Sequence, residues 1–104
     1  MENTTIAIVN TVGGSACIEA EDGQKVFELI KKHLAEGQTV TLSFLNVEML
    51  AAEFLAAAIG QLYRDFPVKF IKENVKIEDL SLTGAVSLKR VVDHAKLCYK
   101  EPQA

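Results

Sequence analysis

The chain has 104 residues, with 11 Lys plus Arg against 14 Asp plus Glu and a formal net charge of −3. Hydrophobic residues make up 49% and charged residues 24%, which excludes the apolar-poor, highly charged composition of disordered chains. The length predicts a single domain over 1–104, with a real core but little room for a deep active site, and the slight acidity argues against the basic patch of a non-specific nucleic-acid binder.

No apolar run approaches the roughly 20 residues that span a bilayer, and the longest is broken by Glu53. The start, Met-Glu-Asn-Thr-Thr, lacks the basic region and apolar stretch of a signal peptide. A cytoplasmic location without membrane contact is therefore the expectation. A small secreted scaffold would normally carry more cysteines than Cys17 and Cys98, so both are read as reduced thiols.

Thr5–Thr11 is rich in β-branched residues, with Ile6 and Ile8 on one face and Ala7 and Val9 on the other, and predicts a strand. Gly13-Gly14 and the β-capable Ala16–Ile18 predict a hairpin next. A glycine pair also lets backbone amides approach a phosphate, but neither Walker nor dinucleotide spacing surrounds this one. Asp22 is placed to cap a helix with the stripe Val26, Phe27, Ile30 and Leu34, and Gly37 stands where a left-handed C-terminal residue belongs. In Thr39–Phe44, Val40, Leu42 and Phe44 alternate with small hydroxyl residues, the pattern of a strand.

A connection from Leu45 to about Ala51 leads into an alanine-rich helix over Ala52–Tyr63, apolar around most of its circumference and suited to close packing on a sheet. Pro67 ends it, and Val68–Ile71 predicts another short strand, reached by a right-handed parallel crossover. After a loop from Lys72, a last helix capped by Thr83 carries the stripe Leu88, Val91, Val92, Ala95 and Tyr99, and residues 101–104 form a frayed tail. The expected class is α/β: a small sandwich with a mixed sheet of about four strands and helices mainly on one face.

His94 and Cys98 stand one helical turn apart and can meet. They supply two ligands where zinc takes at least three. As base and nucleophile they need a pocket and an orienting group, for which Asp93 points the wrong way round the helix. The plain reading is a half-buried Cys98 beside a surface His94. His33 is isolated near a helix C-terminus, which favours its charged form. Glu19, Glu21 and Asp22 gather at a helix start, where the dipole favours each carboxylate by roughly 0.3–1 kcal/mol, and nothing marks a pocket that would make them a catalytic pair. No catalytic residues, metal or cofactor are expected, a small enzyme using Cys98 or the Glu19 cluster being the outlying alternative.

The order of strand, hairpin, helix, strand, loop, apolar helix and strand resembles the STAS domain of bacterial anti-sigma factor antagonists. More closely, Val40–Val47, Glu53-Phe54-Leu55, Ala58–Tyr63 and Val91–Tyr99 resemble the STAS-like family of unknown function, over roughly Gly13 to Tyr99. In the antagonists the loop after this strand carries an Asp-Ser-Ser-Gly type motif whose second Ser is phosphorylated by the partner kinase. A gapless match sets Ala51, Ala52, Glu53 and Phe54 on those four positions, so Glu53 stands where the phosphoacceptor would be. The STAS-like family usually shows Ser-Phe at Glu53-Phe54 and Asp-Phe at Ser43-Phe44. The resemblance implies a non-enzymatic regulatory module, a monomer or weak homodimer, that binds a histidine-kinase-like ATPase or anti-sigma factor through Val47, Met49, Leu50, Ala52, Glu53 and Phe54. Glu53 either imitates a phosphoserine or is a plain first-turn glutamate favoured by the helix dipole. Val47, Met49 and Leu50 suit a recognition surface or fold back as core. The alternative function is nucleotide binding, with the Gly13-Gly14 turn and the Glu53 helix start lining one pocket.

Overall fold

The computed structural model describes residues 2–99, and the tail at 101–104 lies outside them. The first strand, β1 (Asn3–Ala7), is shorter than its β-branched run, because the chain turns directly into a five-residue helix, α1 (Ile8–Val12). Thr11 Oγ1 donates to the Ala7 carbonyl at 3.2 Å, and Gly13, at φ 90°, donates its N–H to the Val9 carbonyl. Ile8 is fully buried, so tertiary packing overrides local β propensity here. The hairpin expected at Gly13-Gly14 is replaced by this helix end, which draws on the same positive φ that a hairpin turn would.

A short strand, β2 (Ala16–Cys17), precedes α2 (Ala20–Ala35). The N-cap of α2 is Glu19 rather than Asp22, which sits in the first turn and pairs with Lys25 at 3.5 Å. Val26, Phe27, Ile30 and Leu34 are buried as their spacing requires, and Gly37 takes the left-handed position at φ 80°. Next come β3 (Thr39–Ser43) and β4 (Met49–Leu50). One helical rod then runs from 52 to 65: α3 (Ala52–Leu55), a π-helical segment (Ala56–Gly60) and α4 (Leu62–Asp65).

The strand expected at Val68–Ile71 is helical instead, as α5 (Val68–Asn74). Pro67 provides its extended N-cap, Phe66 and Phe70 stack one turn apart at 5.2 Å, and Asn74 Nδ2 donates to the Phe70 carbonyl at 2.9 Å. The strand follows directly as β5 (Val75–Glu78). The last helix, α6 (Leu82–Cys98), is capped by Ser81, whose hydroxyl accepts from the Gly84 N–H at 3.0 Å, and not by Thr83.

The class is α/β, with five strands in two sheets among the described residues, β1-β3-β5 and β2-β4. Every described pair is parallel, where a mixed sheet was expected. The reason is connectivity: parallel neighbours need a long crossover, and helices fill each one. Asn3 pairs with Thr39 and Val40 with Val75, so Ile6, Val40, Leu42, Val75 and Ile77 share one face. That face joins the buried residues of α1, α2, the rod, α5 and α6 in a single core. The other face carries Asn3, Thr5, Thr39, Thr41, Ser43, Lys76 and Glu78. There the Asn3 side chain donates to Thr39 Oγ1 at 2.8 Å and accepts from Thr41 Oγ1 at 3.2 Å.

Candidate functional site

The rod's π segment shapes the site. The Gln61 N–H bonds the Ala56 carbonyl, five residues back, at 3.1 Å, which releases the Ala57 carbonyl from the usual i, i+4 ladder. The Gln61 side-chain amide takes up that carbonyl at 2.8 Å and also donates to Gln24 Oε1 at 2.7 Å, tying the widened turn to α2. Close approach of the two helices depends on Gly23, where an added Cβ would collide with the Phe54 carbonyl oxygen and stand 2.8 Å from Ala57 Cβ.

On its other side the rod meets α6 across a groove of about 510 Å³. Gly60, Val91 and Ala95 are buried at its base, while Ala52, Glu53, Ala56, Arg90, His94, Cys98 and Tyr99 line it from exposed positions. Glu53 lies in the first turn of the rod, as its place after the loop predicts, and its exposed carboxylate makes no hydrogen bond or ion pair among the described residues. Arg90, His94 and Cys98 follow one another at four-residue spacing along α6, and Cys98 Sγ lies 3.2 Å from His94 Nε2. Both residues are exposed, so Cys98 is not the half-buried core-flank residue expected, and the pocket that the pair lacked in the sequence exists. Cys17 is the opposite case: a free, fully buried thiol whose pKa is pushed up by burial and by the nearby Asp22 carboxylate.

The six residues expected to meet a partner divide. Ala52 and Glu53 line the groove, and Met49 is 56% exposed. Val47 and Leu50 are half-buried, pack on the core and line a separate hollow of about 100 Å³ with Leu80 and Gly84. Phe54 is fully buried and belongs to the core, which corrects its place on a contact surface: one step round the helix from Glu53, its side chain points inward. Gly13 and Gly14 do not line the groove. His33 bonds Gln38 at 2.7 Å in the last turn of α2, and Glu19 and Glu21 are exposed there at the helix start. Among the described residues no three His, Cys, Asp or Glu side chains converge as a metal site requires, and no helix is long and apolar enough to cross a membrane.

Arg90, Ala56, Gly60 and Tyr99 are groove residues that sequence reasoning missed. The spacing of Arg90, His94 and Cys98 was the available signal, but the opposing wall comes from a helix some thirty residues earlier.

Neither a curated protein nor a solved structure matches the chain. One family does: its sequence model, described as a STAS-like domain of unknown function (DUF4325), matches residues 22–85, a stretch that contains most of α2, the whole rod with Glu53, and β5, and that ends before Arg90. That stretch is more than half of the chain, which therefore belongs to the STAS-like domain family.

Proposed function

We propose that this STAS-like domain is a non-enzymatic regulatory module whose surface around Glu53 binds a protein partner, a histidine-kinase-like ATPase or anti-sigma factor. The observation that carries the reading is the setting of Glu53: an exposed carboxylate in the first turn of the rod, on the lining of a groove, without a side-chain partner among the described residues. A charge outside the ion pairs of the described residues is available to a partner's cation. It carries one negative charge where a phosphoserine carries about 1.5 to 2 at pH 7, so it imitates the modified state in part and needs no kinase to do so. Met49 and Ala52, both exposed, extend the surface on either side.

Affinity capture from the native host tests this, with wild type and Glu53→Lys immobilised in parallel and the retained proteins identified by mass spectrometry. The expected result is an ATPase of the histidine-kinase-like class on the wild type, with affinity lowered by roughly tenfold or more in the charge-reversed variant. Equal retention by both chains, or retention of no such ATPase, overturns the reading.

A further inference from the structure

We propose that Cys98 is a modification site, forming a mixed disulfide with a carboxylate-bearing low-molecular-weight disulfide that lies in the groove between α6 and the rod. Three observations lead there, and none depends on the identity of a protein partner. The thiol is in hydrogen-bond contact with a base, since Cys98 Sγ lies 3.2 Å from His94 Nε2. Both groups line an open groove of about 510 Å³ with a base of small residues, so an incoming disulfide has both a path and a seat. Arg90 lines the same groove two turns earlier on α6 and forms no ion pair among the described residues, which leaves its guanidinium available to receive a carboxylate.

The reaction is thiol–disulfide exchange. His94 Nε2, in contact with Cys98 Sγ, accepts the thiol proton. The thiolate attacks one sulfur of the incoming disulfide, a new S–S bond forms at Cys98 and the old one breaks. The departing thiolate takes the proton from His94 and leaves as a thiol. Cys98 is oxidised and the departing sulfur is reduced, with no further reactant. The adduct occupies the groove beside Glu53, and a second thiol reverses the step. Cys17, fully buried, has no access to the same reagent.

The test treats the whole reduced chain at pH 7 with oxidised glutathione, which carries carboxylates, or with cystamine, which carries amines, and follows adducts by intact mass and peptide mapping. Glutathione is expected on Cys98 and not on Cys17, at an initial rate about tenfold above that of the same chain unfolded in urea, and slowed about tenfold in His94→Asn. In Arg90→Gln the glutathione rate is expected to fall toward the cystamine rate. These side chains are exposed, and circular dichroism verifies that each variant folds. A folded-state rate no higher than the unfolded rate, or a wild-type rate in His94→Asn, overturns the proposal. An unchanged preference for glutathione in Arg90→Gln overturns the assignment of the carboxylate to that residue.

Discussion

The side-chain amide of Gln61 donates to the carbonyl of Ala57, its own helical neighbour four residues back, at 2.8 Å. This bond repairs the ladder at the point where the π segment opens it, and the same nitrogen reaches Gln24 on α2. Gln61→Met keeps the volume and removes the donor. Urea unfolding is expected to show a loss of about 1–2 kcal/mol, because both acceptors lose their partner. Gln24→Met leaves the Ala57 carbonyl bonded and should cost less, with a non-zero coupling between the two in a double-mutant cycle.

Two buried glycines on opposite sides of the rod predict opposite outcomes. At Gly23 an alanine methyl would collide with the Phe54 carbonyl oxygen, a backbone contact that only separation of α2 from the rod relieves. Gly23→Ala is expected to destabilise by about 1–3 kcal/mol, as overpacked cores do. At Gly60 the same methyl meets Val91 at 3.5 Å and Ala56 and Ala95 at 3.9 Å, ordinary contacts. Gly60→Ala should therefore be neutral or stabilising by up to about 1 kcal/mol, while narrowing the groove. Thermal unfolding of the two variants side by side checks the contrast.

The start of α6 offers a choice between two hydroxyls. Ser81 accepts from the Gly84 N–H, while Thr83 is exposed inside the first turn. Ser81→Ala should cost about 1 kcal/mol and Thr83→Ala a few tenths at most. Equal losses from the two would place the helix start at the wrong residue.

Asp65 makes the pH dependence specific. Its pKa is held below the ordinary carboxylate value first by the hydrogen bond from Arg64, at 3.0 Å; burial opposes this, and the hydrogen bond from Lys31 at 3.2 Å adds a smaller lowering. A carboxylate with a lowered folded-state pKa adds stability above its unfolded pKa and loses it as pH falls through the folded one. Asp65→Asn is therefore expected to be less stable than wild type near neutral pH. The gap should close as the pH drops below about 4, which denaturant titrations at stepped pH will show.

The elements legible in the sequence are those whose signal is local. The Val26, Phe27, Ile30 and Leu34 stripe, the alternation of Thr39–Phe44 and the left-handed Gly37 each specify their own geometry. Where one local signal serves two structures, the sequence misleads. Gly13 satisfies a helix end as well as a hairpin turn, and Pro67 before Val68-Lys69-Phe70-Ile71 begins a helix as readily as it precedes a strand. Partner choice among strands has no local signature, so parallel pairing throughout could not be read from composition. The site shows the same division. Glu53 was placed correctly by its distance from β3, and the contact of His94 with Cys98 by helical spacing. The groove depends on how the π segment and α6 cross, and Phe54 was misassigned because adjacent helical residues point in different directions.

Asn3 and Thr39 in one strand pair, and Ser43 and Asp79 beside the other, are each 36 residues apart. No ladder of the main sheet can close locally, so β1 has no partner until β3 has been synthesised, and β3 keeps one edge open until β5 follows. Asn3–Ala7 thus emerges well before its partner strand, and α2, whose backbone bonds are local, lies between the two in the chain. Destabilising α2 should therefore delay the whole sheet, whereas a lesion in β5 would leave an unpaired, aggregation-prone edge on an otherwise assembled β1-β3 pair.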